Sequence, residues 1–179
     1  MTLGRGSILA LAALIWGLSL QVQAAPQPLQ TSLEYSVKAN YLVRFAAFVE
    51  WPRASFVDSR SPVVICVVGR DPFNGALEQA ARAQTAHGRV LVVRRPGTAE
   101  ATAGCHILYV GRGGGNQVPS GPRSILLVTD AAVSSDRGMV HFVVSDDRVR
   151  FHIDLQAASR SRLSISSRLL NLALSVRGG

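Results

Sequence analysis

The sequence lacks the short motifs by which nucleotide-binding proteins and hydrolases are recognised. Its only lysine, Lys38, is not part of a Gly-Lys-Ser/Thr triplet, so a phosphate-binding loop is excluded. The dinucleotide pattern fails too, because Gly111-x-Gly113 is followed by Asn116 where a third glycine is required. There is no Gly-x-Ser-x-Gly elbow, and the four histidines lie near no Ser–Asp pairing. We therefore predict a protein that is not an enzyme and needs no cofactor.

Long apolar runs are missing except near the start of the chain. Arg5 precedes an apolar segment from Ile8 to Leu20, and Val22-Gln23-Ala24 has the small-residue pattern of a cleavage site. This arrangement is typical of a bacterial secretory signal, and its core is too short for a membrane-spanning helix. We predict a signal peptide over residues 1–24 and a single exported domain over residues 25–179. A retained signal anchor is the alternative.

Cysteine is scarce, since only Cys66 and Cys105 are present. In an exported protein an even pair most often forms a disulfide. Two buried free thiols that behave as small apolar side chains are the alternative. The bond is favoured because unpaired thiols meet oxidising machinery outside the cytoplasm.

Acidic residues are few, whereas arginine is abundant. Lys and Arg total 19 against 11 Asp and Glu, which gives a net charge of +8. A basic protein outside the cytoplasm meets no genomic DNA, so no nucleic-acid partner is expected. Anionic lipid or an acidic patch on another protein are better candidates.

Short apolar segments rich in β-branched residues recur after the leader. The segment Val63–Gly69 is too short for a helix and is typical of a strand buried on both faces of a parallel sheet. Three similar segments follow it, and a helix is predicted after the first. The predicted strands are Arg89–Arg95, Cys105–Val110 and Ser124–Thr129, and the predicted helix is Gly75–Thr85. This pattern predicts an α/β fold with a Rossmann-like, mainly parallel sheet flanked by helices.

The alternation changes in the last third of the chain. Met139–Val144 and Val149–Ile153 alternate apolar and polar residues across a short turn, which is typical of an antiparallel hairpin. Its expected register places His141 opposite His152 on a solvated face, and six apolar residues on a buried face. The six are Val140, Phe142, Val144, Val149, Phe151 and Ile153. A histidine pair can hold a metal, but no third ligand is in sight, so no metal site is predicted.

Two further helices are predicted at the ends of the exported chain. The first spans Leu33–Val49 and stops at the proline that follows Trp51, with Lys38 facing away from its apolar stripe. The last spans Leu155–Val176, with Asp154 as its N-cap. An aromatic stripe on the first helix is usually buried, but Phe45, Phe48 and Trp51 could instead form an exposed contact surface.

Four arginines fall at or just beyond the carboxyl ends of successive predicted strands. They are Arg70, Arg94, Arg95 and Arg112. Together they could bind a small anion or a nucleotide, which gives an alternative function as a periplasmic ligand-binding protein. Solvated arginines in an arginine-rich protein are the simpler interpretation.

Five blocks of sequence occur in a characteristic order along the exported chain. They are Val37–Leu42 with Phe45–Pro52, Ile65–Phe73, Cys105–Gly111, Arg148–Phe151 and Ile165–Leu170. Together they resemble the YfiR family of small periplasmic proteins. The resemblance implies a Rossmann-like domain that binds and represses the periplasmic sensor region of an inner-membrane diguanylate cyclase. Cyclic di-GMP and biofilm formation would then fall.

The resemblance also bears on individual residues. Cys66 and Cys105 match a cysteine pair that is disulfide-bonded in the family, whereas a second pair found in some members is absent. His152 and Asp154 stand where Glu and Asn are frequent, so partner choice differs if these positions touch the cyclase. The candidate partner-binding residues are Phe45, Phe48, Trp51, His152 and Asp154. The sequence leaves open whether the protein is a homodimer.

Overall fold

The structure is a computed structural model that describes residues 28–178. The predicted signal peptide, residues 1–24, lies outside the described residues. None of the helices within residues 28–178 has the length and apolar character needed to cross a bilayer.

The described chain contains one long helix, three short helices, ten strands and three 3₁₀ turns. The first half contains α1 (Pro28–Phe48), β1 (Val49–Glu50), β2 (Val63–Val68), α2 (Ala76–Arg82), β3 (Thr85–Ala86), β4 (Arg89–Arg94) and β5 (Ile107–Val110). The second half contains β6 (Leu126–Asp130), β7 (Val140–Ser145), β8 (Arg148–Asp154), α3 (Leu155–Arg160), β9 (Ser164–Ile165), α4 (Ser167–Leu170) and β10 (Ser175–Arg177). The 3₁₀ turns span Arg53–Ser55, Glu100–Thr102 and Gly115–Gln117.

Eight strands form one sheet in the order β10-β8-β7-β6-β5-β2-β4-β3. The pairs from β4 through β2, β5 and β6 to β7 are parallel, whereas β7–β8 and β3–β4 are antiparallel. This confirms the predicted α/β class, with a mostly parallel sheet and an antiparallel hairpin. The sheet order also places the carboxyl ends of the five parallel strands along one edge.

The strand predicted to be buried on both faces, β2, is fully buried along its length. Its side chains alternate between two apolar clusters. Val63, Ile65 and Val67 join the main core under α1 and α2, while Val64, Cys66 and Val68 join a smaller cluster on the opposite face. Strand β2 therefore lies between the main core and the smaller apolar cluster.

The hairpin has the predicted register but not the predicted burial. His141 pairs with His152, and Phe142 with Phe151. Near the turn, Val144 is 53 % exposed and Val149 is half-buried. The prediction of six buried residues is wrong at these two, because the main core ends before the tip of the hairpin. His141, in turn, is buried rather than solvated.

The long helix predicted over Leu155–Val176 is wrong. The chain leaves α3 through Arg162, whose φ of +58° is incompatible with a right-handed helix. It then forms β9, which pairs antiparallel with β1, before two further short elements follow. The predicted cap is present, since the Asp154 carboxylate accepts a hydrogen bond from the Ala157 N–H at 2.8 Å. A strand partner more than 100 residues away in sequence, Val49, decides the local structure here.

Candidate functional site

The crevice where open α/β sheets usually bind ligands is closed in this protein. The chain passes from β2 to β4 on one side and then crosses to β5 on the other, so the carboxyl ends of β2 and β5 flank this switch point. The Arg70 N–H donates to the Arg112 carbonyl at 2.9 Å, and the Gly111 N–H donates to the Val68 carbonyl at 2.8 Å. The backbone of the segment after β5 thus occupies the position that a ligand would take.

Glycine is required at this junction for close backbone packing. Gly69 has a φ of +73°, and a Cβ atom there would lie 2.6 Å from the Gly114 nitrogen. A Cβ atom on Gly114 would lie 2.8 Å from the Val68 carbonyl oxygen. These glycines let two loop segments touch, which is a different role from cradling a phosphate.

Two of the four arginines at the carboxyl edge have polar partners within the protein. The Arg95 guanidinium pairs with the carboxylates of Asp71 and Glu78. The hydrogen bond from Arg95 lowers the pKa of Glu78, and the same bond raises the pKa of Arg95. Arg94 donates to the Ala101 carbonyl at 3.2 Å. Of these four, Arg70 and Arg112 have exposed side chains that make no ion pair within residues 28–178, and the anion-binding alternative stays a prediction.

The two cysteines are joined in a disulfide. Cys66 lies in the middle of β2, and Cys105 lies just before the neighbouring strand β5, with a Cα–Cα distance of 5.8 Å. Both side chains are buried in the smaller apolar cluster. The bond therefore joins the two strands that flank the switch point, and it offers no exposed thiol.

A buried charge network lies beneath α1 at the carboxyl edge. The Lys38 ammonium lies 2.6 Å from the Asp130 carboxylate at the end of β6, and it also pairs with Glu34. The Tyr109 hydroxyl donates to the same Asp130 oxygen at 3.0 Å. Burial, with the negative charge of Asp130, raises the pKa of Tyr109, so this hydroxyl remains a donor. Lys38, predicted to face away from the core, instead joins α1 to the sheet.

An aromatic cluster lies at the opposite, amino edge of the sheet. The Trp51 indole N–H donates to the His106 carbonyl at 3.1 Å, and the His106 ring stacks on Phe56 at 4.4 Å between centroids. His106 Nδ1 accepts the Val64 N–H at 3.1 Å, and Nε2 contacts the Ser55 carbonyl at 3.1 Å. Burial lowers the pKa of His106, which favours the neutral ring that these two bonds require.

The predicted partner-binding aromatics do not form one exposed surface. Phe45 is fully buried and packs on Phe142 and Phe151 at centroid distances of 5.7 and 5.2 Å. The prediction that it contacts a partner is corrected, because its ring lies inside the main core. Phe48 and Trp51 are half-buried and pack against that core.

The remaining predicted residues, His152 and Asp154, lie on β8 and are partly exposed. His152 Nδ1 lies 2.6 Å from the Ser175 hydroxyl, and Asp154 pairs with Arg177. The hydrogen bond from the Ala157 N–H lowers the pKa of Asp154, with Arg177 adding to the effect. Their side chains thus hold β10 and α3 in place, and a role in partner choice remains a prediction.

Across residues 28–178, no group of three or more His, Cys, Asp or Glu side chains is arranged to hold a metal ion. His141 Nδ1 instead lies 2.8 Å from the Thr129 hydroxyl. Each histidine of the cross-strand pair therefore has its own hydroxyl partner.

An open groove between α1 and the hairpin tip was not predicted from the sequence. We call it the α1–hairpin groove. Its apolar lining consists of Leu33, Val37, Tyr41, Val144 and Val149. It has a volume of about 770 Å³. The i, i+4 spacing of Leu33, Val37 and Tyr41 is the sequence signal that could have revealed it, because this stripe lies beside the one that is buried.

These features describe an α/β domain whose own backbone closes the switch point, with an open groove between α1 and the hairpin tip. The model of the YfiR/HmsC-like family matches residues 35–174, which cover most of the chain and lie entirely in its described part. The chain belongs to the YfiR/HmsC-like family. No curated protein matches it.

Proposed function

We propose that this protein binds the periplasmic sensor region of an inner-membrane diguanylate cyclase and represses it. Cyclic di-GMP production, and with it biofilm formation, falls as a result. The observation that carries this proposal is the family match over residues 35–174. Membership of the family supports a periplasmic regulator of diguanylate cyclase activity in general.

The geometry is consistent with regulation by binding. The carboxyl edge, where an α/β enzyme would hold its ligand, is filled by backbone contacts between Gly69–Arg70 and Gly111–Gly114. A disulfide between Cys66, in the middle of β2, and Cys105, just before β5, cross-links the same two strands nearer their amino ends. Such a rigid scaffold suits a protein that presents a preformed surface to a partner, because little conformational entropy is lost on binding.

Deletion of the gene tests the proposal in the organism that encodes it. We expect cyclic di-GMP and biofilm mass to rise in the deletion strain, and expression of the full chain to restore both. The matched control is the chain without residues 1–24, which is expected to remain in the cytoplasm and to restore neither. An unchanged cyclic di-GMP level in the deletion strain across growth conditions would count against the function. Restoration by the leaderless chain would count against the periplasmic location.

A further inference from the structure

Four polar side chains form a row across four adjacent strands of the sheet. The register pairs Thr129 of β6 with His141 of β7, His141 with His152 of β8, and His152 with Ser175 of β10. Phe142, which follows His141 in the chain, belongs to the main core, and side chains alternate along a strand. The row therefore lies on the face of the sheet opposite the main core, with two imidazole rings between two hydroxyl groups.

The hydroxyl of Thr129 determines which nitrogen of His141 carries the proton. This hydroxyl accepts the Gly138 N–H at 2.8 Å and lies 2.8 Å from His141 Nδ1. It donates its own proton to Nδ1, because it has no other hydrogen-bond acceptor among the described residues. The neutral ring of His141 then carries its N–H at Nε2. His141 is only 4 % exposed, and Nε2 has no hydrogen-bond partner within residues 28–178, so this donor calls for an acceptor.

Both histidines line one small cavity, which we call the His141–His152 cavity. Its lining consists of Arg137, Gly138, His141, His152, Ile153, Asp154, Ser175 and Arg177. The volume is about 90 Å³, well below the roughly 300–1,000 Å³ of pockets that hold drug-sized ligands. His152 Nδ1 lies 2.6 Å from the Ser175 hydroxyl, which leaves its Nε2 available to a ligand as well. The cavity thus combines nitrogen donors with room for only a small ligand.

The charges of the cavity favour an anion. Arg137 is exposed and makes no ion pair within residues 28–178. Among the described residues, Asp154 supplies the only carboxylate of the lining, and it is already paired with Arg177. Two arginines against one carboxylate leave an excess of positive charge even when both histidines are neutral. Behind the row, the carboxylate of Asp130 acts on the histidine of β7, but it is paired with the ammonium group of Lys38.

The histidines are also sensitive to the charge of a ligand in the cavity. Burial lowers the pKa of both His141 and His152, and the positive charge of Arg137 adds to the effect. An anion close to the rings acts in the opposite sense, because it favours the charged imidazolium. Anion binding and histidine protonation therefore strengthen each other.

We propose that the His141–His152 cavity binds a small tetrahedral oxyanion, the phosphate or sulfate group. His141 donates from Nε2, Arg137 donates from its guanidinium, and His152 joins them when its Nε2 carries a proton. Ser175 and Arg177 belong to β10, so a bound anion also helps to hold this strand on the sheet. The site does not depend on binding of the cyclase, and the two proposals can fail separately.

Nuclear magnetic resonance of the histidine rings tests the site directly, because the chain has only four histidines. Sulfate is titrated into the exported chain (residues 25–179) at about pH 6, where histidines are partly protonated. The ring signals of His141 and His152 should move. His87 and His106 lie outside the cavity and serve as internal controls. Sodium chloride at the same ionic strength is the control for screening.

Calorimetry measures the contribution of each group. Arg137→Gln and His152→Gln should each raise the Kd for sulfate roughly tenfold. Arg60→Gln is the matched control and should leave the Kd unaltered, because it removes the same charge from an exposed arginine outside the cavity. Sulfate keeps its charge as the pH changes, whereas phosphate titrates. The Kd of the unaltered chain for sulfate should rise about tenfold between about pH 5.5 and about pH 7.5, and His152→Gln should reduce this rise.

Several results would overturn the site. Ring signals that do not move at tens of millimolar sulfate would do so, as would equal shifts with chloride or equal shifts of all four histidines. Variants of Arg137 and His152 that are folded by circular dichroism and bind sulfate with unaltered Kd would do so too. Inorganic phosphate and glycerol phosphate then identify the source of the anion. Binding of both assigns the cavity to the phosphate group of a larger molecule, whereas binding of inorganic phosphate alone restricts it to the free ion.

Discussion

The ammonium group of Lys38 lies 2.6 Å from a carboxylate oxygen of Asp130, and both side chains are buried. Glu34 pairs with the same ammonium, and Tyr109 donates to the same carboxylate. This network attaches the first half of α1 to the carboxyl end of β6. It also positions the α1–hairpin groove, because Leu33 and Val37 precede Lys38 on the same helix.

Replacement of Lys38 should destabilise the fold strongly. Lys38→Met leaves the Asp130 carboxylate buried with no opposite charge, and we expect a loss of about 3–5 kcal/mol in the free energy of unfolding. Tyr109→Phe removes one hydrogen bond to the same carboxylate and should cost about 1.5–3 kcal/mol. Urea denaturation measures both. The double variant Lys38→Met/Asp130→Asn should recover part of the loss, and a Lys38→Met chain with unaltered stability would contradict a structural role for the pair.

Loss of the disulfide should also lower stability. Cys66 and Cys105 are 39 residues apart, and in the chain-entropy model the closure of such a loop contributes about 4 kcal/mol. We expect a markedly lower Tm in the presence of reductant. The Cys66→Ala/Cys105→Ala chain should show a similar decrease that reductant does not change. Identical melting curves for the oxidised and reduced protein would contradict this.

Stability should fall as the pH falls below about 6.5. Burial lowers the pKa of His106, His141 and His152 in the folded protein. The unfolded chain, with histidine pKa values of about 6.5, therefore binds more protons in this range. The stability that these histidines contribute is fully present above about pH 6.5. It is lost as the pH falls towards their pKa values in the folded protein.

Chemical denaturation between about pH 7.5 and about pH 5.5 measures this dependence. His106→Asn should reduce the slope, because the His106 ring accepts the Val64 N–H only when Nδ1 is unprotonated. A denaturation midpoint that is constant over the whole range would contradict the predicted effect of these histidines.

Alanine variants at two glycines should distinguish the stability cost of backbone strain from the stability cost of close packing. Gly69 and Gly113 both have positive φ angles, of +73° and +76°. A Cβ atom on Gly69 meets the Gly114 nitrogen at 2.6 Å, whereas one on Gly113 meets nothing within 4 Å. Gly113→Ala should cost roughly 1–2 kcal/mol through backbone conformation alone. Gly69→Ala should cost about 1–3 kcal/mol more, because the contact between the two loops must open. Equal thermal stabilities would show that the switch point is not tightly closed.

Local sequence patterns predicted the parallel sheet well, because its strands are short, apolar and separated by glycine and proline. The region after Asp154 was not predicted correctly. Its apolar residues keep a helical spacing, and Ala158 and Leu169 are both buried, but they belong to two separate helices. The intervening strand β9 forms only because β1 lies alongside it, and no pattern within the segment shows that pairing.

The environments of Lys38 and Phe45 could not be predicted from local sequence patterns either. A lysine on a helix is normally solvated, and its burial here depends on Asp130, which is distant in sequence. Phe45 belongs to the buried stripe because the hairpin phenylalanines cover it. The α1–hairpin groove likewise depends on where the hairpin tip lies relative to α1, which only the tertiary structure defines.

The bond between Lys38 and Asp130 spans 92 residues, which has a consequence for how the protein matures. A chain synthesised from its amino end contains α1 long before β6. Until Asp130 arrives, the helix carries an ammonium group that opposes its burial in the core. A chain truncated before Asp130 should therefore leave α1 undocked and open to proteolysis.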